Sequence, residues 1–239
     1  EGCLAQAARR YGVRIIAFVV MGNHFHLIVQ VPNHNLHAFM CYFQRELSMR
    51  LNLHRGEEGT NFPVRYRSEE IASVEDFENE IVRMLCNPVR ARLVGAAEQW
   101  PGVSSLGMHR SGQRRRIVRH ASRDQAEAMR SDGLTSALER SLHELPLELS
   151  PPSFWDELDE AQVHARIAEL VDSEEARLQE EIEGNRERTV GPSRLLRETY
   201  DQRPDAVHWR AYRRVISQDP EYEARYHVWY RHLRRRYRS

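Results

Sequence analysis

Two histidines one residue apart, His24 and His26, are the pair in this chain best suited to chemistry. They stand in Met21-Gly22-Asn23-His24-Phe25-His26-Leu27-Ile28-Val29, between runs rich in Ile and Val at 14–20 and 27–31. Such runs around a short polar turn predict two paired strands. Alternation along a strand sends both imidazoles to one side, roughly 7 Å apart, and Phe25 to the other. Two imidazoles on one rigid face can chelate a divalent ion. The plain alternative is a pair of polar side chains on a solvent-facing strand.

A helix is predicted further along. Ser73-Val74-Glu75-Asp76 has the form of a capping box with acidic residues in the first turn. Phe77, Ile81, Met84 and Leu85 then recur at helical spacing and define one apolar face. Pro88 stops the helix, because it lacks an N–H and disfavours helical geometry in the residue before it. Residues four apart share a face, so Arg83 lies directly below Asn87.

The composition is that of a chain able to bury a core: 239 residues, 41% hydrophobic and 29% charged. No apolar run approaches the ~20 residues of a membrane span, and no signal peptide is recognisable. Cys3, Cys41 and Cys86 are odd in number and widely spaced, which points to a reducing cytoplasm rather than a disulfide framework. Cys86 adjoins Asn87 but reads as a small core residue. Formal net charge is zero, yet it sums opposite patches. Positive charge concentrates at 110–119 and at the C-terminus, negative charge between Asp156 and Glu187. Every basic residue is Arg, whose fork suits phosphate better than an ammonium does.

After Ser105 the pattern changes. Residues 108–150 read as a polar linker holding one helix over 123–138, closed by Leu145-Pro146 and Pro151-Pro152. From 151 to 239 the pattern is helical. Val163, Ile167, Leu170, Val171, Leu178 and Ile182 form an apolar stripe opposite acidic residues, most simply a packing face, with Phe154 and Trp155 docking ahead of it. Further helices start near Gly191-Pro192 and Pro220. The last, 221–237, interleaves aromatic residues with Arg225, Arg231, Arg234, Arg235 and Arg236, an arrangement that can lie along a phosphate backbone.

The string MGNHFHLIV resembles the His-hydrophobe-His core of the single-tyrosine HUH transposases, in particular the REP-associated tyrosine transposases with an insertion-sequence-200-like domain. Further pieces follow in that family's order: a helical stretch at 36–53, then Gly59-Thr60-Asn61-Phe62-Pro63-Val64-Arg65-Tyr66-Arg67. Asn87-Pro88-Val89-Arg90-Ala91-Arg92-Leu93-Val94 and Trp100-Pro101-Gly102-Val103-Ser104-Ser105 complete the set. The resemblance covers roughly residues 10 to 107 and implies an α+β fold, an antiparallel sheet with helices on one face, as in ferredoxin- and RRM-like domains. A mostly helical C-terminal module follows. The implied domains are 1–107 (transposase-like), 108–150 (linker) and 151–239 (helical).

The same resemblance implies a divalent Mg or Mn held by His24, His26 and, as third ligand, Asn87, a neutral oxygen donor that suits a hard ion. It implies single-stranded or hairpin DNA as partner, nicking and joining through a phosphotyrosine, and a homodimer or monomer. Arg83 stands where the family's tyrosine is expected. A guanidinium cannot attack a phosphate, though it can grip one, so catalysis by this copy is expected to be impaired. Tyr66 and Tyr42 are the candidate substitutes. Arg65, Arg67, Arg83, Arg90, Arg234, Arg235 and Arg236 are the candidate DNA contacts.

Relatives of this type carry another strand and helix ahead of Arg14. Residues 3–10 therefore read as the tail of that helix, and a bare sheet edge is expected. Two alternatives remain: a non-catalytic nucleic-acid-binding or regulatory protein derived from a transposase, and a phosphodiesterase that uses water as nucleophile.

Overall fold

The computed structural model describes residues 1–121, 128, 142–186, 188–197, 215–216, 220–221 and 224–225. The fold is α+β with antiparallel two-stranded ladders and predominantly helical connections. Helix α1 (Gly2–Tyr11) ends at Gly12 in the left-handed region, φ 65°, where glycine carries no Cβ penalty. Strands β1 (Arg14–Val20) and β2 (Phe25–Gln30) then pair antiparallel, with Val20 opposite Phe25 and Val19 opposite His26. The ladder slips between Ile15 and Ala17. This bulge brings Ile16 and Ala17 into one core while Ile15 and Phe18 enter the other.

The hairpin is packed on both faces. Phe25, Leu27 and Val29 meet α1 and α2 (Leu36–Arg55), with the Phe25 ring 5.2 Å from Phe43 and 5.8 Å from Phe62. Phe62 belongs to the segment anchored by Asn61, whose amide reaches Ser48 and Asn52 on α2. On the opposite face, Ile16, Val19 and Ile28 join Phe77, Ile81, Met84 and Leu85 of α3 (Val74–Leu85). The predicted start of α3 is observed: Ser73 Oγ accepts from the Asp76 N–H at 3.1 Å and donates to the Asp76 carboxylate at 2.6 Å.

The outer edge of β1 is not bare, contrary to expectation. The Val20 N–H donates to Val103 O, the Ser105 N–H to Phe18 O and the Ser150 N–H to Ile15 O. The segment Trp100–Ser105 thus runs beside β1, and Trp100 Nε1 donates to Val20 O at 3.0 Å. Gly102 permits this close approach, because a Cβ there would lie 2.9 Å from Val20 O and 2.4 Å from the Trp100 ring.

Residues 108–150 hold more structure than a linker reading implies. After α5 (Leu106–Arg110), strands β4 (Arg115–His120) and β5 (His143–Glu148) form an antiparallel ladder. Val118, Leu145, Leu147 and Leu149 are buried against α1. The helix expected over 123–138 lies outside the described residues, apart from Ala128. A two-residue parallel pairing joins β3 (Glu70–Ile71) to β6 (Val215–Ile216).

The apolar stripe forms α6 (Glu160–Gly184), and it shares the core with α3 rather than standing apart. Val163, Ile167, Val171, Leu178 and Ile182 are buried in the same cluster as Phe77 and Ile81. Trp155 meets the Phe77 ring edge-on at 5.1 Å. Buried Glu175 accepts from Arg110 at 2.7 Å and from the Ala97 N–H, pinning α6 to α5 and the chain before it. A reciprocal capping box starts the helix: Asp159 accepts from the Gln162 N–H, and Gln162 accepts from the Asp159 N–H, both at 2.8 Å. Asp159→Ala is expected to cost about 1 kcal/mol, seen as a lower urea midpoint at unchanged m-value.

Candidate metal centre

The turn after β1 positions the first ligand candidate. The Met21 N–H donates to His24 O at 2.8 Å and closes the turn, leaving the His24 ring exposed just before β2. One residue into β2, alternation points His26 to the α3 side, opposite Phe25. The two rings meet edge to face with centroids 4.9 Å apart. Helix α3 ends at Leu85, and Pro88 opens a new short helix, α4 (Asn87–Arg90), in the first turn, where its missing N–H costs nothing. That break sets Asn87 over the hairpin: its Nδ2 donates to His26 Nε2 at 2.8 Å. His24, His26 and Asn87, separated by sixty residues of chain, therefore converge at the mouth of the hairpin.

The imidazoles are in the form a metal requires. Burial, then the charges of His24 and Arg83, push the His26 pKa down to about 4, so the ring is neutral near pH 7. Partial desolvation by the surrounding chain lowers His24 as well, although the residue reaches solvent. Its Nδ1–H donates to Asn23 Oδ1 at 2.7 Å, which fixes the tautomer and leaves the Nε2 lone pair available. Turning the Asn87 amide by 180° exchanges its N–H for a carbonyl oxygen at the same point. Two imine nitrogens and one amide oxygen make a mixed set that fits a hard or borderline divalent ion with open positions. No group of three or more His, Cys, Asp or Glu suited to a metal occurs among the described residues.

Arg83 lies in the last turn of α3, four residues before Asn87, and its side chain is 54% exposed. It forms a forked pair with Glu80, at 3.0 and 3.2 Å. The substitute tyrosines lie elsewhere. Tyr42 packs on Tyr11 of α1, and Tyr66 stacks on His37 near the start of α2, both on the hairpin face opposite His26. Arg65 and Arg67 are exposed, Arg65 over the Tyr66 ring. Arg90 is held by Glu174 of α6 at 2.6 Å. Arg234, Arg235 and Arg236 lie outside the described residues. Cys86 is fully buried with its thiol pushed up to about 12, as a core residue should be.

Two features of the site's frame went unforeseen in the sequence. Asn23 orients His24, and α6 buttresses α3 from behind. The first has a weak signal in the Asn-His dipeptide. The second follows from matching the α6 stripe to an apolar face of α3 already filled on one side by the hairpin.

Among the described residues no helix is long and apolar enough to cross a membrane. Residues 1–82 match the family model described as "Transposase IS200 like", a match that ends one residue before Arg83 and five before Asn87. No curated protein and no solved structure matches the chain.

Proposed function

We propose, from the match of residues 1–82 to the IS200-like transposase family model, that this protein binds single-stranded or hairpin DNA beside a divalent-metal site and lacks the phosphotyrosine step. The observation that carries this reading is the convergence of His24, His26 and Asn87, with Arg83 and not a tyrosine on the neighbouring turn. A Mg or Mn ion held by the three would supply Lewis-acid polarisation of a DNA phosphate. The protein's own side chains do the rest. Asn23 keeps His24 in the ligating tautomer, and burial keeps His26 neutral. The Arg83 guanidinium stays protonated and offers no nucleophilic lone pair, so it contributes charge and hydrogen-bond donors to a phosphate and no covalent step. Its Glu80 partner can be exchanged for a phosphate at little cost, because exposed pairs are weak.

A single observation favours a second reading, a transposase-derived DNA-binding protein without metal: Asn87 and His26 already satisfy one another by a direct hydrogen bond. Calorimetric titration with Mn²⁺ separates the two. The first reading expects binding that weakens at least tenfold in His26→Ala, the loss of one ligand in three. DNA affinity indifferent to chelation, with no heat from Mn²⁺, supports the second. Labelled hairpin oligonucleotides should be retained without a denaturation-resistant adduct; an adduct with the wild-type chain would overturn both.

A further inference from the structure

On the hairpin face opposite His26, α1 and α2 leave an open cleft of about 420 Å³ lined by Arg10, Tyr11, His37, Cys41, Tyr42 and Arg45. Its size falls in the range of small-ligand sites, ~300–1,000 Å³. Its chemistry is specific: two guanidiniums, two phenols, an imidazole and a thiol, without a carboxylate in the lining. Tyr11 and Tyr42 meet at 5.7 Å, and Arg10 lies 4.9 Å above the Tyr42 ring. Arg45 approaches the same ring at 5.9 Å, its side chain 74% exposed; its nearest carboxylate, Glu46 at 3.6 Å, also serves Arg50. Beyond His37 the surface continues into a second pair of the same kind, Tyr66 stacked on His37 with Arg65 over Tyr66.

Aromatic rings interleaved with guanidiniums on an exposed rim are what a single strand of nucleic acid binds: bases stack on rings or guanidinium planes, and phosphates neutralise the cations. A duplex offers the phosphates but keeps its base faces covered. The cleft faces away from the metal centre, so it suits a flanking stretch of strand rather than the phosphate at that centre. We propose that the α1–α2 cleft is an anchoring site for single-stranded DNA, with a base stacked against Tyr42 and adjacent phosphates on Arg10 and Arg45. This rests on the DNA-binding reading above.

The wild-type protein carries its own probe. Cys41 is exposed in the cleft while Cys3 and Cys86 are buried. In metal-free buffer, alkylation by iodoacetamide followed by mass spectrometry should show Cys41 reacting at least fivefold more slowly when a twelve-residue oligo-dT is bound. A duplex of equal length should leave the rate unchanged. By fluorescence anisotropy Tyr42→Leu should weaken oligo-dT binding about tenfold, within the range for loss of one stacked base. Arg10→Gln and Arg45→Gln, both at exposed positions, should each lower the salt slope by about 0.7. Oligo-dT binding with Cys41 fully reactive and affinities unchanged in the variants overturns the cleft and leaves the metal-centre reading intact. Equal protection by duplex overturns the single-strand assignment. Absence of any DNA binding by the wild-type chain removes both proposals.

Discussion

On the function proposed above, Arg83→Tyr is expected to form a covalent link to DNA where the wild-type chain forms none. With Mn²⁺ and a labelled hairpin oligonucleotide, the variant should give a denaturation-resistant adduct at a rate at least 10³-fold above wild type. Removing a covalent nucleophile costs on the order of 10⁶-fold elsewhere, which sets the ceiling for restoring one. The expectation rests on position. Residue 83 lies in the last turn of α3, four residues before Asn87, and its charge acts on His26, so on the function proposed above a phenol there faces the proposed metal site. A side chain 54% exposed leaves room for the ring. Losing the Glu80 pair should cost only a few tenths of a kcal/mol. Arg83→Phe supplies the ring without the hydroxyl and should give no adduct. If Arg83→Tyr binds Mn²⁺ and DNA as wild type does yet forms none, position 83 is not aimed at the phosphate, and the equation of Arg83 with a missing nucleophile falls.

That variant probes what the sequence made readable. The hairpin was legible because β-branched runs flank a polar turn, and the register follows from the pleat once one pair is fixed. The α3 cap was legible because Ser73 and Asp76 stand three apart. The meeting of Asn87 with His26 was not contained in either element. It depends on the break at Pro88 and on the stacking of α3 against the hairpin, and reached the sequence reading only through the order of motifs in a resemblance. The β4–β5 ladder was missed although Leu145, Leu147 and Leu149 alternate at the strand period; Pro146 between them reads as punctuation, whereas in the ladder it faces Ile117. Charge misled in the same way. Arg90, a candidate DNA contact in the sequence, and Arg110 and Arg114, from the basic stretch at 110–119, each meet a carboxylate of α6, as Arg92 does. They bind the helix to the domain.

The packing of α6 also predicts acid lability. His109 of α5 and His164 of α6 are buried with their Nδ1 atoms 3.2 Å apart, a geometry that holds one proton between two nitrogens and not two. Burial, then the His164 charge, pushes His109 down to about 3, while His26 and His120 fall to about 4, each chiefly through burial. In the unfolded chain these imidazoles titrate near 6.5. Between pH 6.5 and their folded values the unfolded state therefore binds more protons, so stability is complete above 6.5 and is lost as pH falls toward 4. At 1.36 kcal/mol per pH unit, His109 alone contributes on the order of 3 kcal/mol between pH 7 and pH 4. Urea denaturation at a series of pH values should show this loss, and His109→Gln, which keeps a partner for His164 without taking up a proton, should flatten it by about that amount. The groups facing the pair, Glu160 and Arg114, act on His164 in opposite senses and do not reverse the sign. An unchanged pH slope in His109→Gln would mean that α6 docks without depending on a neutral imidazole at its contact with α5.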